Sequence, residues 1–346
     1  MVDRVRRRLV AAGVARYLVG AARGQKGDFT DDAGRIVAVP SRVERIFAAG
    51  PPASVLVFAA APTRLLGWTT PFRDDERPFV DAKYANLPTL GRLTGRGNTA
   101  NVEVVLAAKP DLIVDYGAVT PTFASLAERV ERQTGIPYVL LDGSFDRMTA
   151  SIRRFGRLVE ADAETLAHDA EQTVAQISRR VAAIPAESRP RVYYGRGPLG
   201  LQTGLAGSIN VESIERVGAI NVAAELGRGG LVQVSVEQVL RWDPDVIVTT
   251  DPNFELSLRD DPRWRGLSAV RKGRFHLAPA VPFGWIDFPP SLNRLIGLRW
   301  LARVLYPESF PEDLRPAVRT FYGRYYHRVP TDAQIDMLLA SMRTRS

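Results

Sequence analysis

The chain has 346 residues, 45% hydrophobic and 24% charged, with no cysteine and a formal net charge of +8. That length exceeds one ordinary domain and suits two, and a chain of this size buries roughly 75% of its unfolded surface without a disulfide or metal staple. The composition excludes a disordered, collagenous or membrane-bundle protein, and the missing cysteine excludes disulfides, cysteine-based metal sites, thiol nucleophiles and a lipid on an N-terminal cysteine.

The charge is concentrated at the start. Residues 1–26 carry seven basic residues against Asp3 alone, whereas the other 320 carry 39 basic and 37 acidic ones. A nucleic-acid binder needs its excess on a folded surface, so no nucleic-acid partner is expected. The basic run to Arg8, the apolar Leu9–Ala15 and the small residues Gly20, Ala21, Ala22 and Gly24 are the parts of an export signal. Arg7-Arg8 also suits a twin-arginine route, and Arg16 interrupts the apolar run. The expectation is a periplasmic, soluble, lipid-free mature chain starting near Gln25.

A first lobe, 27–144, reads as strands at 35–39, 45–49, 65–68, 112–115 and 138–141, with helices at 53–60 and 122–134 between them. A helical stretch, 145–183, has no proline and one glycine. It is expected as a connecting helix (145–185), a rod of roughly 57 Å if unbroken, with a helix start near Asp162 as the place for a break. A second lobe, 186–308, shows strands at 191–194, 246–248 and 275–277 and helices near 208–217, 236–242 and 289–305. A helical tail, 309–346, follows. Alternating strands and helices imply parallel sheets with crossovers. The fold class is therefore α/β, two Rossmann-like lobes joined by a long rigid helix, with a ligand cleft between them.

An internal repeat supports two similar lobes. Residues 102–114 read VEVVLAAKPDLIV and 236–248 read VEQVLRWDPDVIV, identical at eight of thirteen positions. In each copy a short helix ends at Pro110 or Pro244, because proline cannot continue it. An apolar β-branched run follows, suited to a strand buried on both faces.

Gly195-Arg-Gly-Pro-Leu-Gly200 matches a dinucleotide fingerprint in letters. Pro198, Gly204 and Gly207 are expected to keep the chain in a loop to about Ser208, so no helix opens onto a phosphate. No P-loop, G-x-S-x-G or H-E-x-x-H occurs, and His168, His276 and His327 are too scattered for a metal site. Neither a catalytic residue nor a resident cofactor or metal is expected. Arg92 and Arg96 on one Gly-rich loop and Arg196 on another suit anionic groups across a cleft. Trp68, Tyr116 and Trp285 lie at strand ends or in loops, where aromatics wall ligands. Glu103 and Glu237 take equivalent places in the first turn of the repeat helices. Each either complements its helix dipole or docks on a symmetric basic partner.

In this order the motifs resemble the class III periplasmic binding proteins that serve ABC importers for ferric siderophores, cobalamin and haem. The similarity runs over about 34–305, most clearly at Gly91-Arg92, at 101–103, 109–114 and 234–237, at Pro244-Asp245, and at 261–264 with 269–274. The resemblance implies a monomer that binds an iron complex in the cleft, a ferric siderophore first and otherwise a corrinoid, haem or an oxyanion such as molybdate, Arg92, Arg96 and Arg196 being candidate contacts. It also implies docking of Glu103 and Glu237 on arginines of a membrane permease. The alternative is a two-lobed enzyme such as a nucleotide-sugar glycosyltransferase, with the nucleotide on the Gly195 loop.

Overall fold

A computed structural model describes residues 25–342 except 96 and 98. The leader, but for its last two residues, and Arg96 lie outside the described residues.

An antiparallel hairpin of β1 (Gln25–Thr30) and β2 (Ile36–Pro40) opens the described chain. Asp31 builds its turn, its Oδ1 accepting the N–H groups of Ala33 and Arg35 at 3.0 Å each. The first lobe then runs β3 (Ile46–Ala48), α1 (Pro51–Ala60), α2 (Ala82–Ala85), α3 (Val102–Ala108), β4 (Leu112–Gly117), α4 (Pro121–Thr134) and β5 (Tyr138–Asp142). The sheet is parallel, in the order β3-β4-β5. Its period-2 alternation separates two cores. Ile46, Val114 and Val139 pack with Val55 and Phe58 of α1, while Phe47, Ile113 and Leu140 pack with Val105 of α3 and Val130 of α4. The strand expected at 65–68 is reduced to single bridges, Ile46 with Leu65 and Trp68 with Thr89.

The expected rod is two helices, α5 (Phe145–Val159) and α6 (Glu164–Ala182). The break falls at Glu160, which takes a left-handed φ of 54°, and Asp162 accepts the N–H of Glu164 at 3.2 Å beyond it. The helices cross closely at Gly156, where a Cβ would lie 2.8 Å from that of Ala163. Arg153 of α5 reaches both Glu164 (2.8 Å) and Glu171 (3.0 Å) of α6.

In the second lobe, β6 (Arg191–Gly195), β7 (Gln202–Gly204), α7 (Glu212–Arg216), β8 (Ile220–Asn221), β9 (Leu231–Gln233), α8 (Val236–Trp242), β10 (Val246–Thr249), α9 (Pro252–Asp260), α10 (Ser268–Arg271) and β11 (Phe275–Leu277) follow. The parallel sheet has the order β11-β10-β6-β8, and β7 pairs antiparallel with β9. β7 occupies ground expected to be loop, and the helix expected from 208 begins only at Glu212. Tyr193 and Ile247 pack under Val239 and Trp242 of α8, while Val192 and Val248 face the main core.

The chain ends on α11 (Arg294–Leu305), α12 (Arg315–Tyr325) and α13 (Asp332–Leu339). The tail is no appendage. The Tyr325 hydroxyl donates to the Leu166 carbonyl at 3.1 Å and to Asp169 at 3.0 Å, and His327 sits 2.9 Å from the Phe58 carbonyl of α1. Among the described residues no helix is long and apolar enough to cross a membrane.

Candidate functional site

Ligands of parallel α/β sheets collect beyond the carboxyl ends of the strands. Here a cleft of about 2570 Å³ lies there, lined from the first lobe by 68–73, 92, 94–95 and 115–120 and from the second by 196–197, 207–210, 250–252, 275–283 and 287–290. Met337, Leu338 and Ala340 of the tail line it as well.

A buried arginine joins the lobes at its base. Arg294 is wholly buried, donates to Glu212 of α7 at 2.7 Å and to the Ile209 carbonyl at 3.2 Å, and also bonds the Gly143 carbonyl at the end of β5. The other oxygen of Glu212 accepts the Phe145 N–H at 2.8 Å, so a second-lobe carboxylate serves the first turn of α5. The Ser291 hydroxyl donates to the Pro52 carbonyl of α1 at 2.8 Å. The ion pair lies within the second lobe, and each partner also bonds the first, Arg294 at the Gly143 carbonyl and Glu212 at the Phe145 N–H, so separating the lobes would leave buried polar groups unpaired.

On the second-lobe side Arg196 lines the cleft, but it is not a free cation. Its Nε donates to Asp287 Oδ2 at 2.7 Å, its Nη1 bonds Gln202, and its Cζ lies 4.3 Å from the centre of the Phe288 ring. Burial pulls the guanidinium pKa down, but the Asp287 charge beside it lifts it above the ordinary value. Asp287, wholly buried, also accepts from the Tyr194 hydroxyl (3.1 Å), Asn210 Nδ2 (2.9 Å) and the Phe288 N–H (2.9 Å).

On the first-lobe side Trp68 is fixed by its Nε1–H to the Tyr84 carbonyl at 2.8 Å. Its ring meets Phe72 at 4.7 Å and Phe283 at 5.8 Å, so three aromatics from both lobes form one wall. Arg92 lines the same side, with its Nε held 3.1 Å from the Gly97 carbonyl. Tyr116 lines the floor with a buried hydroxyl that has no protein partner among the described residues. Trp285 is the exception among the expected aromatics. It is wholly buried, outside the cleft lining, with its Nε1–H 3.0 Å from the Tyr322 hydroxyl. The structure therefore brings Trp68, Arg92, Tyr116 and Arg196 to one cleft and moves Trp285 into the core behind it.

A family model for periplasmic binding proteins matches residues 79–282, more than half of the chain. The chain belongs to that family. An ABC transporter solute-binding protein from Sulfurospirillum deleyianum is 28% identical, with a TM-score of 0.83 over 90% of this chain and 99% of its own. The molybdate-binding protein MolA of Haemophilus influenzae is 32% identical over 153 residues, 43% of this chain and 42% of MolA, so the match spans under half of that relative. The substrate-binding lipoprotein YvrC of Bacillus subtilis is 26% identical over 228 residues, 61% of this chain and 67% of its own.

In this periplasmic binding protein the repeat glutamates are both exposed, one residue into α3 and α8. Asn101 caps α3 by accepting the Val104 N–H at 3.0 Å, and Ser235 caps α8 by accepting the Gln238 N–H at 3.2 Å. Hydrogen bonds from its own N–H and the Ser235 hydroxyl hold the Glu237 carboxyl below its ordinary pKa. The glycines of the Gly195 loop serve packing. A Cβ on Gly195 or on Gly200 would lie 2.2 Å from the Phe254 ring, and the chain continues into β7, not into a helix. Sequence reasoning passed over Phe72, Phe283 and Arg294, and also Asp287, whose only local signal is an acid set between Ile286 and Phe288 in a proline-rich loop.

Proposed function

We propose that this protein captures a metal complex outside the cytoplasm, a ferric siderophore before a corrinoid or haem, and delivers it to the permease of an ABC importer. The observation that carries the reading is the cleft. At about 2570 Å³ it exceeds the roughly 300–1,000 Å³ of ordinary small-molecule pockets. A bare oxyanion would leave most of it to water. The Trp68, Phe72 and Phe283 wall suits the apolar body of a chelate, and donors on Arg92 and Arg196 suit its oxygen rim. Glu103 and Glu237, each exposed on a repeat helix, are the proposed contacts to arginines of the permease. The family and its neighbours are solute-binding proteins, which supports transport over the glycosyltransferase alternative.

The 32% identity with MolA over 153 residues favours molybdate as a second reading. Both are tested by titrating the purified chain, which holds five tryptophans, with ferric hydroxamate, ferric catecholate, ferric citrate, cobalamin, haem, molybdate and a nucleotide sugar, followed by fluorescence and thermal shift. A metal complex is expected to bind near micromolar or tighter, about −8 kcal/mol or better. Molybdate alone would replace the first reading with the second, and the nucleotide sugar alone would restore the enzyme.

A further inference from the structure

Resting on the reading of the cleft as the solute site, we propose that Asp287 sets the charge selectivity of that site. By pairing Arg196 it presents fixed hydrogen-bond donors with almost no net charge, so the cleft accepts neutral or singly charged oxygen acceptors and discriminates against bare dianions.

Four donors from three segments converge on this one carboxylate: Arg196 and Tyr194 from the end of β6, Asn210, and the Phe288 N–H. Both partners of the pair are buried, with side-chain exposures of 6% for Arg196 and 0% for Asp287. The ion pair is therefore poorly screened by water. Phe288 covers the guanidinium, and Gln202 takes part of its edge. What remains is a donor edge in a fixed plane. A solute oxygen meeting that edge gains a directed hydrogen bond. A dianion there also meets the Asp287 charge a few ångströms behind, which offsets most of the attraction. The rest of the cleft does not compensate, because apart from this pair acidic side chains outnumber lysine and arginine nine to six on its described lining.

The test titrates molybdate and a ferric trihydroxamate into the wild-type chain, Asp287→Asn and the double variant Arg196→Gln/Asp287→Asn at one ionic strength, with melting curves as the fold control. The wild type is expected to hold molybdate no tighter than millimolar. Asp287→Asn unmasks the guanidinium and is expected to bind molybdate at least about tenfold tighter than the wild type, and the double variant to lose that gain. Micromolar molybdate binding by the wild type, or no gain in a folded Asp287→Asn protein, overturns the inference and leaves solute binding standing. If Asp287→Asn does not fold, the wild type decides through ionic strength: molybdate affinity that changes by less than about threefold between about 20 and 500 mM sodium chloride supports the inference, and a tenfold loss over that range overturns it. A wild type that binds no chelate counts against the proposed solute and leaves the molybdate comparison in force.

Discussion

Asp111 and Asp245, 134 positions apart, perform one task in two lobes. Asp111 Oδ2 accepts the N–H groups of Glu44 (2.9 Å) and Arg45 (3.0 Å), just before β3, and Asp245 Oδ2 accepts the N–H of Arg191 (2.8 Å), the first residue of β6. Each aspartate N–H returns a bond of 2.8 Å to the carbonyl of the same arginine. The two arginines then reach back to the preceding helix, Arg45 Nε to the Lys109 carbonyl at 3.0 Å and Arg191 Nη1 to the Asp243 carbonyl at 3.4 Å. The repeated proline stops the helix, the repeated aspartate pins the neighbouring strand, and the two together explain why this segment recurs in the chain.

The caps of the two copies differ in a measurable way. Lys109 and Asp243 both take left-handed φ, 47° and 39°. For a side chain that conformation costs about 1 kcal/mol, and glycine avoids it. Lys109→Gly is expected to raise stability by about 0.5–1 kcal/mol. Asp243→Gly is expected to gain nothing, because Asp243 also accepts the Ser268 N–H (2.6 Å) and hydroxyl (2.7 Å). Urea midpoints check both, and a stabilised Asp243→Gly would refute the account.

Gly200 tests what the glycine-rich loop is for. A methyl there would lie 2.2–2.3 Å from three ring carbons of the wholly buried Phe254, at a backbone φ of 65°. Overpacking and left-handed strain together predict that Gly200→Ala destabilises by about 2–4 kcal/mol. A chemical melt measures it. An unchanged melt would return the loop to a ligand-facing role.

What was legible in the sequence follows burial. The parallel strands are covered on both faces, so they read as continuous apolar runs at 46–48, 112–114 and 246–248. The caps Asn101 and Ser235 were legible because a helix start is a local event. Gln25–Thr30 was not, since Gln-Lys-Gly-Asp-Phe-Thr has no alternation and pairs through its backbone. The break between α5 and α6 carries neither glycine nor proline and was legible only through the helix start at Asp162. Trp285 looked like a cleft wall because its cover, Tyr322, comes from 37 residues later. Asp287 was missed for the same reason, its significance lying in donors supplied by Tyr194, Arg196 and Asn210.

The docking role proposed for Glu103 and Glu237 separates from any role in the cleft. Both are exposed on α3 and α8, and neither lines the cleft. Reversing both to arginine is expected to abolish uptake in cells while leaving solute affinity unchanged and lowering the melting temperature by no more than a few degrees. Within the helices, the loss of a favourable first-turn charge costs at most about 1 kcal/mol per site. Uptake that survives the double reversal would reduce both glutamates to helix-end residues.

Asp115 gives the chain a pH dependence with a definite sign. It ends the apolar part of β4, and burial pushes its carboxyl from 3.8 up to about 6, against hydrogen bonds from the Tyr116 N–H, the Thr94 hydroxyl and the Tyr138 hydroxyl. Those bonds measure 3.0, 3.3 and 3.3 Å. A carboxyl whose folded pKa lies above its unfolded value favours the folded state where it is protonated. Its contribution is complete below about pH 4 and is lost as pH rises through about 6, by about 3 kcal/mol across that window. Asp115→Asn keeps one acceptor oxygen, for the Thr94 hydroxyl and Tyr116 N–H that share Oδ1, turns an amide donor toward the Tyr138 hydroxyl in place of Oδ2, and has no proton to lose. It is expected to flatten the stability profile between pH 4 and 6 and to exceed the wild type at pH 7. Denaturant melts of both proteins at pH 4, 5, 6 and 7 measure the difference. Parallel profiles would mean that Asp115 ionises in the folded protein as readily as in the unfolded chain, and that its three hydrogen bonds offset the whole cost of burial.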